Sequence, residues 1–153
     1  MRKSLNPVLK YFFIFILSFS SPVQAFAQSL EGVWQGQFTY DASLRFPTTY
    51  LALNIDKGPD GSYEIHSYTR LPMRGGKDSV IVCKVQYQKS GKNTIKLQEY
   101  KFLNANFDES TLQTMFLRMK EKRDKTILTG YWESMDQGGF TSKPTGRITL
   151  TRK

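Results

Sequence analysis

The chain offers chemistry one histidine and one cysteine. His66 sits in the run Tyr63-Glu64-Ile65-His66-Ser67-Tyr68, where alternation gives Tyr63 and Ile65 one face and sets His66 beside Glu64 and Tyr68 on the other. A general base needs a nucleophile and a cavity within reach. This parity offers His66 neither, so it is expected at the surface. Cys83 shares its face with Ile81, Val85 and Tyr87. Burial in such company raises a thiol's pKa and makes it inert, and one cysteine forms no internal disulfide. Glu99 follows Ile95 and Leu97 along one face, which carries a carboxylate inward. A buried carboxylate is costly unless it is paired or protonated, so an inward Glu99 is a candidate for ligand recognition. A bulge that turns it to solvent is the competing reading, and Tyr100 and Phe102 on the opposite face speak for it.

Arg70, Arg74 and Lys77 flank Gly75-Gly76. Such a loop can cradle an anion through backbone N–H groups. A phosphate loop also follows a buried strand and opens a helix, and neither context occurs here, so a solvated loop is expected. The sequence holds no pair of carboxylates at catalytic spacing, no Ser/His pair at a recognisable spacing and no cluster of metal ligands. It therefore points away from an enzyme, a bound metal or a cofactor.

The elements that must position these residues are β-strands. Runs rich in β-branched and aromatic residues, closed by turn residues, recur at the spacing of a sandwich or barrel. Strands are expected over 32–40, 49–56, 62–70, 79–89, 93–102, 112–120, 125–134 and 146–152. Three connections are short hairpin turns: Lys57-Gly58-Pro59-Asp60-Gly61, Ser90-Gly91-Lys92 and Glu121-Lys122-Arg123-Asp124. Two of them carry glycine, the residue of choice where φ must be positive. The four others, Asp41–Thr48, Leu71–Asp78, Leu103–Thr111 and Met135–Thr145, are longer, and long and short alternate without exception. In an up-and-down antiparallel sheet this gathers every long link at one end. Eight strands also close into a barrel just wide enough for packed side chains or one small ligand, and closure hides the edges. The expected fold is an all-β, eight-stranded antiparallel up-and-down barrel spanning 28–153 as a single domain.

Ahead of it stands a leader. Arg2, Lys3 and Lys10 precede the apolar run Tyr11–Leu17, which is too short to cross a bilayer as a helix. Pro22 and then Ala25-Phe26-Ala27 follow. This is the layout of a secretory signal over 1–27, cleaved between Ala27 and Gln28, and it implies a secreted or periplasmic protein with no transmembrane segment once mature. The 153-residue chain carries 22 Lys+Arg and 13 Asp+Glu, and a leader with three bases and no acid leaves 19 basic groups. The positive charge is spread over many strands, including Lys84, Lys96, Arg118 and Arg147, and not along one groove. That spread and the secreted destination argue against a nucleic-acid partner.

Gly32-Val33-Trp34 opens the first strand, and Ile148, Leu150 and Arg152 share a face of the last. In these residues the chain resembles the calycin barrels (lipocalins, fatty-acid-binding proteins, avidins), whose first strand carries Gly-x-Trp near the closed end and whose last strand lays an Arg or Lys over that Trp. The resemblance implies structural roles for Gly32, Trp34 and Arg152, with Arg152 over Trp34 as a cation–π contact of about 0.5–2 kcal/mol. It gives an architecture and no particular ligand.

The expected function is binding of a small apolar or amphipathic molecule through the loop-ringed mouth, where ligand sites favour barrels. Phe38, Tyr87 and Trp132 are the candidate inward contacts, and Glu99 is the polar anchor. Phe46, Leu71, Met73, Phe107 and Phe140 put a large apolar residue in each long link. The alternative is therefore a solid barrel whose apolar rim, led by Phe46, Met73, Phe107 and Phe140, binds another protein of the cell envelope, as an inhibitor or assembly factor.

Overall fold

Alternating side chains produce eight strands, and the computed structural model closes them into a barrel. The structure describes residues 29–41, 48–72, 78–107, 109–135 and 145–153. The expected leader with its Ala27–Gln28 cleavage point, the loop residues Arg74 to Lys77 and the rim residues Phe46, Met73 and Phe140 lie outside the described residues.

The strands are β1 (Gly32–Tyr40), β2 (Thr49–Lys57), β3 (Tyr63–Pro72), β4 (Asp78–Lys89), β5 (Thr94–Phe102), β6 (Gln113–Lys122), β7 (Lys125–Ser134) and β8 (Thr145–Arg152). Each pairs antiparallel with its sequence neighbours, and β1 pairs with β8 from Trp34↔Arg152 to Tyr40↔Gly146. This is the up-and-down order expected from the alternating links. A 3-10 turn, Glu109–Thr111, interrupts the third long link. Asn104 fastens that link to β4: its side-chain amide donates to the Val80 carbonyl at 2.7 Å, and its amide oxygen accepts from the Val82 N–H at 2.8 Å.

The short turns differ in detail from expectation. Gly61 does adopt a positive φ of 83°, but Gly91 does not. The β6–β7 turn places Arg123, not a glycine, at φ 53°. Gly32 also takes a positive φ, 123°, at the mouth of the tight-turned end.

The interior is layered along the barrel axis. Toward the tight end it is apolar, with Trp34, Leu53, Ile55, Leu97, Leu117 and Leu150 all fully or almost fully buried. Each such side chain contributes about 1.5–3 kcal/mol of transfer free energy, which is how a chain with one cysteine holds itself together. Toward the loop end the inward faces turn polar: Thr49, Ser67, Thr69, Cys83, Glu99 and Ser134 are all buried there. One flank of that end is filled by rings. Phe38 stacks on Trp132 with centroids 4.4 Å apart, and Tyr40 meets both edge-on, at 5.4 and 5.1 Å.

Candidate functional site

Glu99 is the centre of the polar layer. It is 3% exposed and lies where β5 and β6 part. Their ladder runs only from Thr94↔Arg118 to Gln98↔Thr114. The next N–H of β6, that of Gln113, donates to Glu99 Oε2 at 3.1 Å, so a side-chain carboxylate accepts in the seam where the strands separate. The other oxygen, Oε1, accepts the Ser67 hydroxyl at 2.6 Å from across β4. One carboxyl group thus ties together β3, β5 and β6.

A bulge explains why Glu99 points inward while its neighbours looked contrary. Val85 pairs with Glu99 and Lys84 with Lys101, which leaves Tyr100 as the extra residue. The expected competitor, a bulge, is present, but it falls one residue after Glu99 and does not turn it out. An inserted residue flips the parity of everything beyond it. Phe102 consequently pairs with Cys83 on the inward face, against the parity expectation, and meets Phe107 edge-on at 5.8 Å.

Burial governs the electrostatics. Desolvation pushes the Glu99 carboxyl up to about 7, against the Ser67 and Gln113 hydrogen bonds that favour its charged form. The Cys83 thiol is pushed up to about 12, first by burial and then by the Glu99 charge, with the Ser67 hydrogen bond opposing. Burial and, secondarily, the same carboxylate raise the Tyr40 phenol. Glu99, Cys83, Ser67 and Tyr40 therefore form one electrostatic unit at the loop end. Gln113 joins it with a buried side-chain oxygen, Oε1, that has no hydrogen-bond partner.

The candidates from sequence are partly brought together. Phe38, Trp132 and Glu99 share the loop-end interior, with the two rings fully buried against each other and the Trp132 indole N–H donating to the Thr39 carbonyl at 2.9 Å. Tyr87 stands at the other end, with its ring 5.0 Å from that of Tyr63, where both line an open groove of about 520 Å³ shared with Val85, Gln86 and Tyr100. Phe107 is exposed in the third long link, and Leu103 and Met135, which also follow strands at the loop end, are exposed too. Arg152 lies over Trp34 with its guanidinium carbon 5.1 Å from the ring centroid, and it donates to the Ser29 and Glu31 carbonyls. His66 faces away from the interior, 3.9 Å from Glu64. Arg70 pairs with Asp78 at the rim. Among the described residues no three His, Cys, Asp or Glu side chains gather as metal ligands, and no helix is long and apolar enough to cross a membrane.

Sequence reasoning missed Ser67, Gln113 and Tyr40. Ser67 was within reach, since it continues the inward face of Tyr63 and Ile65. Gln113 likewise precedes Met115 and Leu117 on one face, but nothing in the sequence marks the point where β5 and β6 separate. The chain matches no protein-family model, no curated protein and no solved structure.

Proposed function

We propose that this barrel binds a small amphipathic molecule at its loop end, the polar part meeting Glu99 and the apolar part resting among Phe38, Tyr40 and Trp132. One observation carries the reading: a carboxyl, a thiol, several hydroxyls and an unpartnered amide oxygen are buried together at that end, over an interior that is apolar elsewhere. A barrel that only needed to be solid would fill this layer with aliphatic side chains, because buried polar groups without full partners cost stability. Ligand recognition is the use that offsets such a cost. The stacked rings belong to β1 and β7, and the polar groups that would meet the ligand's head belong to β3–β6.

The calycin reading supports the same assignment. The closed eight-stranded order and the Arg152 guanidinium over Trp34 are what that kinship requires, and ligand sites of such barrels lie at the mouth. The basic, apolar and small-residue segments of the leader support a place in the periplasm or outside the cell. Native mass spectrometry of the mature protein purified from its own source tests this function. A discrete added mass, lost when Glu99 is replaced by Gln, supports it; a bare chain that also takes up no offered amphipath contradicts it.

A second reading rests on a different observation. Leu103, Phe107 and Met135 are large apolar side chains exposed in the links of the loop end. Such a rim suits a protein partner, and alanine at all three positions would abolish capture of that partner while leaving small-molecule uptake intact.

A further inference from the structure

The loop-end interior has a charge imbalance that restricts what its ligand can be. Among the described residues, the groups that bond to Glu99 or feel its charge come from four strands: Tyr40 from β1, Ser67 from β3, Cys83 from β4 and Gln113 from β6. None of these carries a positive charge. The inward-facing cation of the described residues, Arg152, is at the opposite end over Trp34. The nearby cations of β4 and β5, Lys84 and Lys101, pair with each other across the ladder, and Lys84 and Lys101 stand on the outer wall. A buried carboxylate without a counter-charge is unstable, and an empty site can neutralise it only by holding a proton.

The hydrogen bonds leave acceptor capacity open. Each Glu99 oxygen accepts one hydrogen bond and retains lone-pair capacity for another. Gln113 Oε1 is a buried acceptor with no donor at all. Among the described residues, what the site lacks is a positive charge and a donor to Gln113 Oε1.

We propose, resting on the ligand-binding reading above, that the ligand's head is a protonated primary amine, which seats its ammonium between the Glu99 carboxylate and Gln113 Oε1. An ammonium brings three N–H donors and no acceptor, so it meets both acceptors and supplies the missing charge. A carboxylate or phosphate head would add a second anion to a buried one. An alcohol would satisfy one acceptor and leave the charge uncompensated. Seating the ammonium drives Glu99 into its ionised form, and the displaced proton leaves to solvent. Binding is therefore an exchange of a proton for an alkylammonium, and it strengthens as pH rises through the range in which the empty site releases its own proton, near 7.

Calorimetric titration of the intact mature protein with octylammonium, 1-octanol and octanoate tests this, at about pH 6 and about pH 8 and in buffers of different ionisation enthalpy. Octylammonium is expected to bind at least about tenfold more tightly than 1-octanol at the higher pH, with octanoate weakest. At the lower pH its advantage shrinks, and the buffers report proton release on binding. Glu99→Gln should abolish the preference for the amine while 1-octanol still binds; the chain comparison and the proton release in the unaltered protein stand even if that variant folds poorly. Equal binding of octylammonium and 1-octanol, or tighter binding of octanoate, overturns the ammonium proposal and leaves the amphipath reading in place. Failure of all three probes to bind at either pH overturns both.

Discussion

The Ser67 hydroxyl donates to Glu99 Oε1 at 2.6 Å inside the barrel, joining two strands that do not neighbour each other. β4 runs between them, and Cys83 on that strand pairs directly with Ser67. Glu99 and Cys83 therefore sit in one electrostatic field, with the Ser67 hydroxyl bonded to the carboxylate between them.

Stability should fall as pH rises through neutrality. The Glu99 carboxyl titrates near 7 in the folded protein and near 4.5, its ordinary value, when unfolded. Between those two values the folded chain holds the extra proton, so raising pH there favours the unfolded state. The full difference corresponds to about 3 kcal/mol, absent below the lower value and complete above the upper one. Urea unfolding between about pH 4.5 and pH 8 measures it. In Glu99→Gln that stretch of the profile should be nearly flat, and an equally steep fall in the variant would place the titrating group elsewhere.

Cys83 should resist thiol reagents. Its thiol is pushed up to about 12 from an ordinary 9.0 and is 1% exposed. The thiolate fraction near pH 8 is therefore about a thousandfold below that of the unfolded chain. Maleimide labelling should follow opening of the barrel, with a rate that tracks unfolding. Glu99→Gln removes a neighbouring negative charge and should lower the thiol's pKa.

At the tight end, Arg152→Ala should cost about 2 kcal/mol, from the loss of its place over Trp34 and of its bonds to the Ser29 and Glu31 carbonyls. Arg152→Lys should retain part of this. Gly32, at φ 123°, should lose about 1–3 kcal/mol on replacement by alanine, through backbone strain alone. Thermal unfolding of the three variants distinguishes these terms, and ligand affinity at the far end should not change.

Gly146 faces Trp132 across the β7–β8 ladder. A Cβ there would stand 2.5 Å from the indole nitrogen and would run into the Thr39 carbonyl oxygen, which accepts the indole N–H. Gly146→Ala should destabilise by about 1–3 kcal/mol and disturb the stack of Trp132 on Phe38. A shifted tryptophan emission with a lowered unfolding midpoint is the expected signature; an unchanged midpoint would mean that the strands yield there without strain.

Much of the architecture was readable from the chain, and the reasons are particular. Period-2 alternation in Leu51/Leu53/Ile55 and in Ile81/Cys83/Val85 marked inward faces correctly, because a one-residue error would expose the whole set. The alternating link lengths reported the strand order, because an up-and-down sheet separates its turns by end. Glu99 was found by continuing the face of Ile95 and Leu97. Parity failed one step later, at Tyr100, since no residue type announces a bulge. At Tyr87 parity gave the right face, but parity carries no height along the axis: Tyr87 pairs with Leu97, two steps nearer the tight end than Glu99. Gln113 was invisible for a related reason, because its role depends on where two strands stop pairing.

The most direct test is where a bound amphipath moves the protein's resonances. On titrating octylammonium into the mature barrel, chemical-shift changes should concentrate at Ser67, Cys83, Glu99 and Gln113, extend to the Trp132 indole, and leave Trp34 and Arg152 still. Saturation with no change at those positions, or changes confined to the exposed side chains of Leu103, Phe107 and Met135, would contradict an interior site at the loop end.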